Sequence, residues 1–148
     1  MSKADSAEAA AQFDPRRFVE LARKVGHGSA LEIDYQDSGP DWLELALPWR
    51  EELVGVPETG VLASGAIVSL IDTASGGSVW MKLGRFVPIV TLDLRLDYMR
   101  PALKGETVFA RCECVKVTRQ VAFVRGVAHG GDPAHPIAQS AATFMVSR

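Results

Sequence analysis

Gly60-Val61-Leu62-Ala63-Ser64-Gly65-Ala66-Ile67-Val68-Ser69-Leu70-Ile71-Asp72-Thr73-Ala74-Ser75-Gly76-Gly77 is the stretch whose reading decides the fold. Ile67, Leu70, Ile71 and Ala74 recur at helical spacing, and Ser64 is placed to cap the start, so a helix is predicted from about Gly65 to about Lys82. The segment is apolar or small on nearly every side, which marks a helix wrapped by other structure rather than one lying on a surface. Asp72 stands alone among small residues until Lys82. A carboxylate in such surroundings is expected to be desolvated, and its pKa raised, unless a partner pairs with it. Chemistry in this chain is therefore sought first at Asp72.

The start of the same helix carries a second device. Its first amides, at Ser64, Gly65 and Ala66, have no acceptor within the helix and sit at the positive end of its dipole. Such amides can hold an oxyanion that develops on a carbonyl under attack. Ser64 and Asp72 are eight residues apart in the chain, roughly 12 Å along a helix that rises ~1.5 Å per residue. Amides and carboxylate of one helix cannot act on one carbonyl. If the two devices cooperate, they come from different subunits, and the chain is expected to form an oligomer.

Outward from the helix, Asp14-Pro15 opens a short helix with Asp14 as cap and Pro15 at the first position, and Phe18, Leu21, Ala22 and Val25 form its apolar stripe. Gly26 to Gly28 is read as its stop, and the helix as a lid on a sheet edge. Residues 1–12, small, polar and rich in alanine, are expected to be a flexible tail, with a single domain over 13–148. Ala30 to Asp37 and Trp42 to Pro48 read as a hairpin about the Asp37–Pro40 turn, and Trp49 to Thr59 as a loop at a ligand mouth. Beyond the central helix, Pro88 to Met99 alternates. Leu92, Leu94, Leu96 and Tyr98 are expected to face the helix, and Thr91, Asp93, Arg95 and Asp97 to face away. Three more strands follow, Glu106 to Val117, Gln120 to Ala128 and Pro136 to Val146. The order β-β-α-β-β-β-β gives an α+β fold in which about six mostly antiparallel strands wrap one long helix.

With 47% hydrophobic residues in 148, the chain can bury a real core. A net charge of −2 provides no basic field for nucleic acid. No apolar run is long enough to span a membrane. Cys112 and Cys114 are read as facing opposite ways on a strand, suited neither to a mutual disulfide nor to a metal pair, so a reduced, cytoplasmic protein is expected. His27, His129 and His135 have no zinc-ligand or triad spacing, and neither a metal nor a separate cofactor is expected.

The element order together with three pieces of sequence resembles the hotdog fold, and within it the acyl-CoA thioesterases of the phenylacetyl-CoA, or PaaI-like, type. The pieces are Leu70-Ile71-Asp72-Thr73-Ala74 in the helix, Val90 to Ala102 with its Tyr-x-x-Pro-Ala ending, and Lys104-Gly105-Glu106 at the entry to the next strand. The resemblance runs from about Gly28 to the C-terminus. It implies hydrolysis of an acyl-CoA or aryl-CoA thioester to free acid and CoA, in a site built across a homodimer, often within a dimer of dimers.

Carried over by position, the resemblance makes Asp72 the catalytic carboxylate, as general base for water or as nucleophile. Thr91 takes the place of a strand hydroxyl that helps to position the water. Ser64 and Gly65 fall on the Gly-Gly of a His-Gly-Gly motif whose backbone amide polarises the carbonyl. The chain departs from that motif with Ala63 in place of histidine and Ser64 in place of the first glycine, and the upstream polar residue, often Asn, is also absent. A backbone amide survives any change of side chain, whereas the missing histidine motivates an alternative, a non-hydrolytic acyl-CoA or ligand-binding hotdog protein. Because CoA carries phosphates, Arg119 and Lys116 are candidates to meet them, with Arg100 and Arg85 behind. Glu58 is a possible second carboxylate. Val54, Val56, Leu62, Trp80 and Phe86 are expected to leave room for the acyl or aryl group.

Overall fold

The computed structural model describes residues 12–147, so the tail expected over 1–12 lies outside the described residues except for Gln12, which bridges to Arg85. Helix α1, Pro15–Ala22, starts as its sequence dictates, with the Asp14 carboxylate accepting from the amides of Arg16 and Arg17 at 3.0 and 3.2 Å. The glycines after it are not a stop. They build a second short helix, α2, Gly26–Leu31, closed by Glu32 in the left-handed conformation. Gly28 permits this because a Cβ there would run into the carbonyl of Ala22, so α2 folds straight back on the end of α1. The first strand accordingly begins at Asp34 rather than Ala30, although Leu31 and Ile33 still reach the core.

Strands β1, Asp34–Ser38, and β2, Trp42–Leu47, form the expected hairpin. The stretch read as an unstructured loop carries a 3-10 turn, Glu51–Leu53, and a small hairpin of β3, Val54–Val56, and β4, Val61–Leu62. Helix α3, Ser64–Leu83, follows and ends at Gly84 with φ +68°. Ser64 is its first residue and not its cap. Ala63 takes the cap position in an extended conformation, and no side chain caps the start.

Strands β5, Ile89–Tyr98, β6, Val108–Val117, β7, Val121–His129, and β8, Pro136–Val146, complete an antiparallel sheet ordered β1-β2-β6-β7-β8-β5. Its inner face packs on α3, chiefly through β2 and β6. Ile67, Leu70, Ile71, Ala74 and Val79 of the helix meet Leu43, Leu45, Val108, Ala110 and Val124 of the sheet in one core. Gly77 lets β2 come close, since a Cβ there would strike Leu43, and Gly76 faces Ile89 and Phe144.

Two expectations about strand faces are corrected. Cys112 and Cys114 do not face opposite ways: positions two apart on a strand share a face, and both are fully buried free thiols. In β5 the register slips between Thr91 and Asp93, Thr91 pairing with Phe144 and Asp93 with Thr143, so Leu92 is an extra residue in a bulge. The bulge reverses the alternation before it. Leu94 and Leu96 pack against the core as expected, but Leu92 is 51% exposed, and Thr91 turns toward α3.

Candidate active site

One stripe of α3 is left uncovered by the sheet: Gly65, Val68, Ser69, Asp72 and Thr73 are exposed or half-buried, while the rest of the helix from Ala66 to Val79 is buried. Their spacing of three and four places them above one another on a single face. Asp72 is half-buried here, and its Oδ1 accepts a 3.0 Å hydrogen bond from the Thr91 hydroxyl. The edge strand and the central helix thus meet through these two residues. Around them lies a hollow of about 210 Å³ walled by Phe18, Trp80, Ile89 and Phe144. Below, the Cys112 thiol lies 3.8 Å from the Ile71 carbonyl, and burial, with the Asp72 charge adding to it, pushes the thiol up to about 12. It stays protonated at neutral pH and is no nucleophile.

The helix start is held from three sides. The amide of Ala63 donates to the Leu53 carbonyl at 2.8 Å, that of Leu62 to the Ala102 carbonyl at 3.2 Å, and the Tyr98 hydroxyl to the Ser64 carbonyl at 3.2 Å. Partial burial pushes the Tyr98 phenol up, which keeps it a donor. The amides of Ser64 and Gly65 have no acceptor among the described residues, and open space lies where a Gly65 side chain would be. Ser64 borders a second hollow of about 340 Å³, lined also by Ile67, Tyr98, Met99, Pro101 and Ala102. Its floor is the turn after β5, clasped by Arg100, whose guanidinium donates to both Glu106 oxygens at 3.0 and 2.7 Å.

Asp72 and Thr91 are therefore brought together, whereas Ser64 opens into a different hollow of the same chain, with Gly65 beside it at the end of the Asp72 stripe. Lys116 and Arg119 are exposed at the β6–β7 end of the sheet and line neither hollow. Arg100 is committed to Glu106, and Glu58 is exposed on the β3–β4 turn. Of the side chains expected to make room for an acyl group, Trp80 lines the Asp72 hollow, Leu62 lines the amide hollow, and Phe86 packs tilted against Trp80 with ring centroids 4.6 Å apart.

The sequence reading passed over His27. Its Nε2 lies 2.8 Å from the Ser69 hydroxyl, one turn before Asp72. Ser69 spends its own proton on the Gly65 carbonyl at 3.1 Å, so it accepts from His27, whose Nε2 carries the hydrogen. No histidine reaches Ser64 among the described residues. A helical-wheel reading would have grouped Gly65, Ser69, Asp72 and Thr73 on one face, but nothing in the sequence ties His27 to residue 69.

A profile of the thioesterase superfamily matches residues 59–136, from just before the helix start to the first residue of β8. The chain belongs to the thioesterase superfamily. Among curated relatives, this thioesterase-superfamily chain is 28% identical over 130 residues to the medium/long-chain acyl-CoA thioesterase YigI of Escherichia coli, covering 79% of this chain and 83% of that one. A crystal structure of a Pseudomonas aeruginosa protein is similar at 40% identity and a TM-score of 0.76, covering 88% of this chain and 94% of the other. A thioesterase from Haemophilus influenzae shares the fold at a TM-score of 0.80 and 20% identity, over 93% and 94% of the two chains. The hotdog architecture expected from the sequence is thus the one found.

Proposed function

We propose that this thioesterase hydrolyses an acyl-CoA or aryl-CoA thioester in a site shared by two copies of the chain. The carrying observation is the Thr91–Asp72 hydrogen bond in a hollow on the one uncovered stripe of α3. A carboxylate that keeps one oxygen on a hydroxyl donor has the other available for water. In the reaction, Asp72 takes a proton from water and the oxygen adds to the thioester carbonyl carbon. The amides of Ser64 and Gly65 of the partner subunit hold the resulting oxyanion. The C–S bond then breaks, and the proton on Asp72 goes to the leaving CoA thiolate. Direct attack by the Asp72 carboxylate, through an anhydride that water later opens, uses the same groups.

The separation of the two hollows in one chain supports the shared site, and a homodimer, paired again into a dimer of dimers, is the assembly we assign. Arg119 and Lys116 are our candidates for the CoA phosphates, with CoA entering as part of the substrate and no separate cofactor. Within the superfamily we assign the chain to the phenylacetyl-CoA, PaaI-like, branch. Two buried free thiols fit a reducing cytoplasm. In the described residues no helix is long and apolar enough to cross a membrane.

The test is thiol release from a panel of acyl- and aryl-CoA esters, with Asp72→Asn alongside. Wild type should release thiol and the variant at least ~100-fold less, the scale of a lost general base. Equal rates would sink the proposal. Saturable binding of the esters without release by wild type would favour the second reading, a ligand-binding hotdog protein, which Ala63 in place of histidine motivates.

A further inference from the structure

Against the same face of α3, the N-terminal helices enclose a third hollow of about 280 Å³. Its walls are mostly apolar, from Phe18, Val19 and Ala22 of α1 to Leu31 at the end of α2 and Ile33 beyond it, with Arg23, His27 and Thr73 the polar residues among them. Phe18 and Thr73 also line the hollow that holds Asp72, so the two spaces adjoin across a shared wall. The roof is fastened in three ways: by the His27–Ser69 hydrogen bond, by the amide of Phe13 on the Gly84 carbonyl at 3.2 Å, and by Phe13 and Phe18 packed on Trp80 with centroids 5.3 and 5.1 Å apart. Arg23 at the end of α1 pairs with Asp34 and ties the other side to β1.

We infer that this hollow is the acyl-tail pocket, holding an apolar aliphatic chain of medium length whose thioester carbonyl lies over Asp72. The inference rests on Asp72 being the reacting centre. Its chemistry follows from the walls. They offer mostly apolar surface, and the polar side chains among them are engaged elsewhere, Arg23 with Asp34 and His27 with Ser69, so the occupant is favoured in proportion to its methylenes. The volume is at the lower end for small-molecule sites, ~300 Å³ upward, which caps the length. The lid expected from α1 is thus one wall of a specificity pocket. Ala22, whose small side chain borders the space, and Leu31 at its inner end set the depth.

The experiment compares kcat/KM for decanoyl-CoA and butanoyl-CoA in wild type, Ala22→Phe and Leu31→Ala, with circular dichroism as a check on folding. Each buried methylene is worth about fourfold. Filling the hollow in Ala22→Phe should therefore lower the decanoyl-to-butanoyl ratio at least ~10-fold, and Leu31→Ala should raise it. Should Leu31→Ala fail to fold, Ala22→Phe carries the test. A ratio unmoved in folded Ala22→Phe overturns the pocket. Calorimetry of decanoyl-CoA binding to Asp72→Asn, with and without Ala22→Phe, separates the two ideas. Weaker binding in the double variant supports the pocket even where wild type releases no thiol, an outcome that defeats only the hydrolytic reading. Equal binding in both defeats the pocket alone.

Discussion

In the proposed reaction the Asp72 carboxylate leans on one hydroxyl, that of Thr91. A hydrogen bond to a charged acceptor is worth ~1.5–3 kcal/mol. Thr91→Val is expected to lower kcat about tenfold or more, while Thr91→Ser, which keeps the donor, should stay near wild type. Steady-state assays of the two variants check this. A second residue-scale effect concerns stability. The Arg100 hydrogen bonds, and then the Leu103 amide, hold the Glu106 carboxyl below its ordinary value of 4.5. A lowered folded-state pKa means stability that is present above the unfolded value and is lost as pH falls through the folded one. Glu106→Gln should therefore melt earlier than wild type at neutral pH, and the gap should close as pH drops below about 4.5, in thermal melts across that range. Asp72 was legible from its isolation in an apolar helix. The face of Thr91 was not, because Leu92, Leu94 and Leu96 alternate without a flaw in the sequence and a bulge leaves no mark on composition. His27 escaped for another reason: contacts between residues 42 apart are made by the fold and not by spacing.

Among the elements, α3 is shaped by its glycines. Gly77→Ala forces a Cβ against Leu43, and overpacking of this kind should cost ~1–3 kcal/mol in urea unfolding. Gly65 has open space around it, and its amide is retained by any residue other than proline. The helix start also allows a clean removal of one donor. Ser64 is the first helical residue, where proline is welcome, and Ala63 before it is extended, at φ −61° and ψ 134°, as a residue preceding proline prefers. Ser64→Pro should fold normally yet lose ~100-fold or more in kcat if the Ser64 amide holds the oxyanion. Circular dichroism and turnover together decide. The sequence made the long helix and the four late strands plain, through period and length. It hid α2, since glycine was read as an end when here it permits one helix to turn on another.

For the whole molecule, the Asp72 carboxylate and the Ser64 amide border separate hollows of one chain, and in the proposed reaction association places them on one carbonyl. Asp72→Asn and Ser64→Pro chains, each nearly inactive, should complement when mixed and allowed to exchange subunits. Each mixed dimer holds one intact site, so random pairing restores about a quarter of wild-type turnover. A site contained within one chain would restore none. The architecture was readable from element order alone, because few arrangements bury one long apolar helix with six strands. The proposed meeting of two chains rests, in the sequence, on a distance that one helix could not bridge.

The bulge at Leu92 acts as a phase shifter between two periodicities. Below it, Leu94 and Leu96 keep step with the core; above it, Ile89 and Thr91 keep step with the helix. Were Leu92 paired with Phe144 in place of being bulged out, alternation would run unbroken and Ile89–Thr91 would slide one place along β8. Leu92 would then take the place opposite Phe144 that Thr91 holds, and Thr91 would turn to the solvent. A strand made more regular would thus be a worse enzyme, with the fold and most of the core left in place.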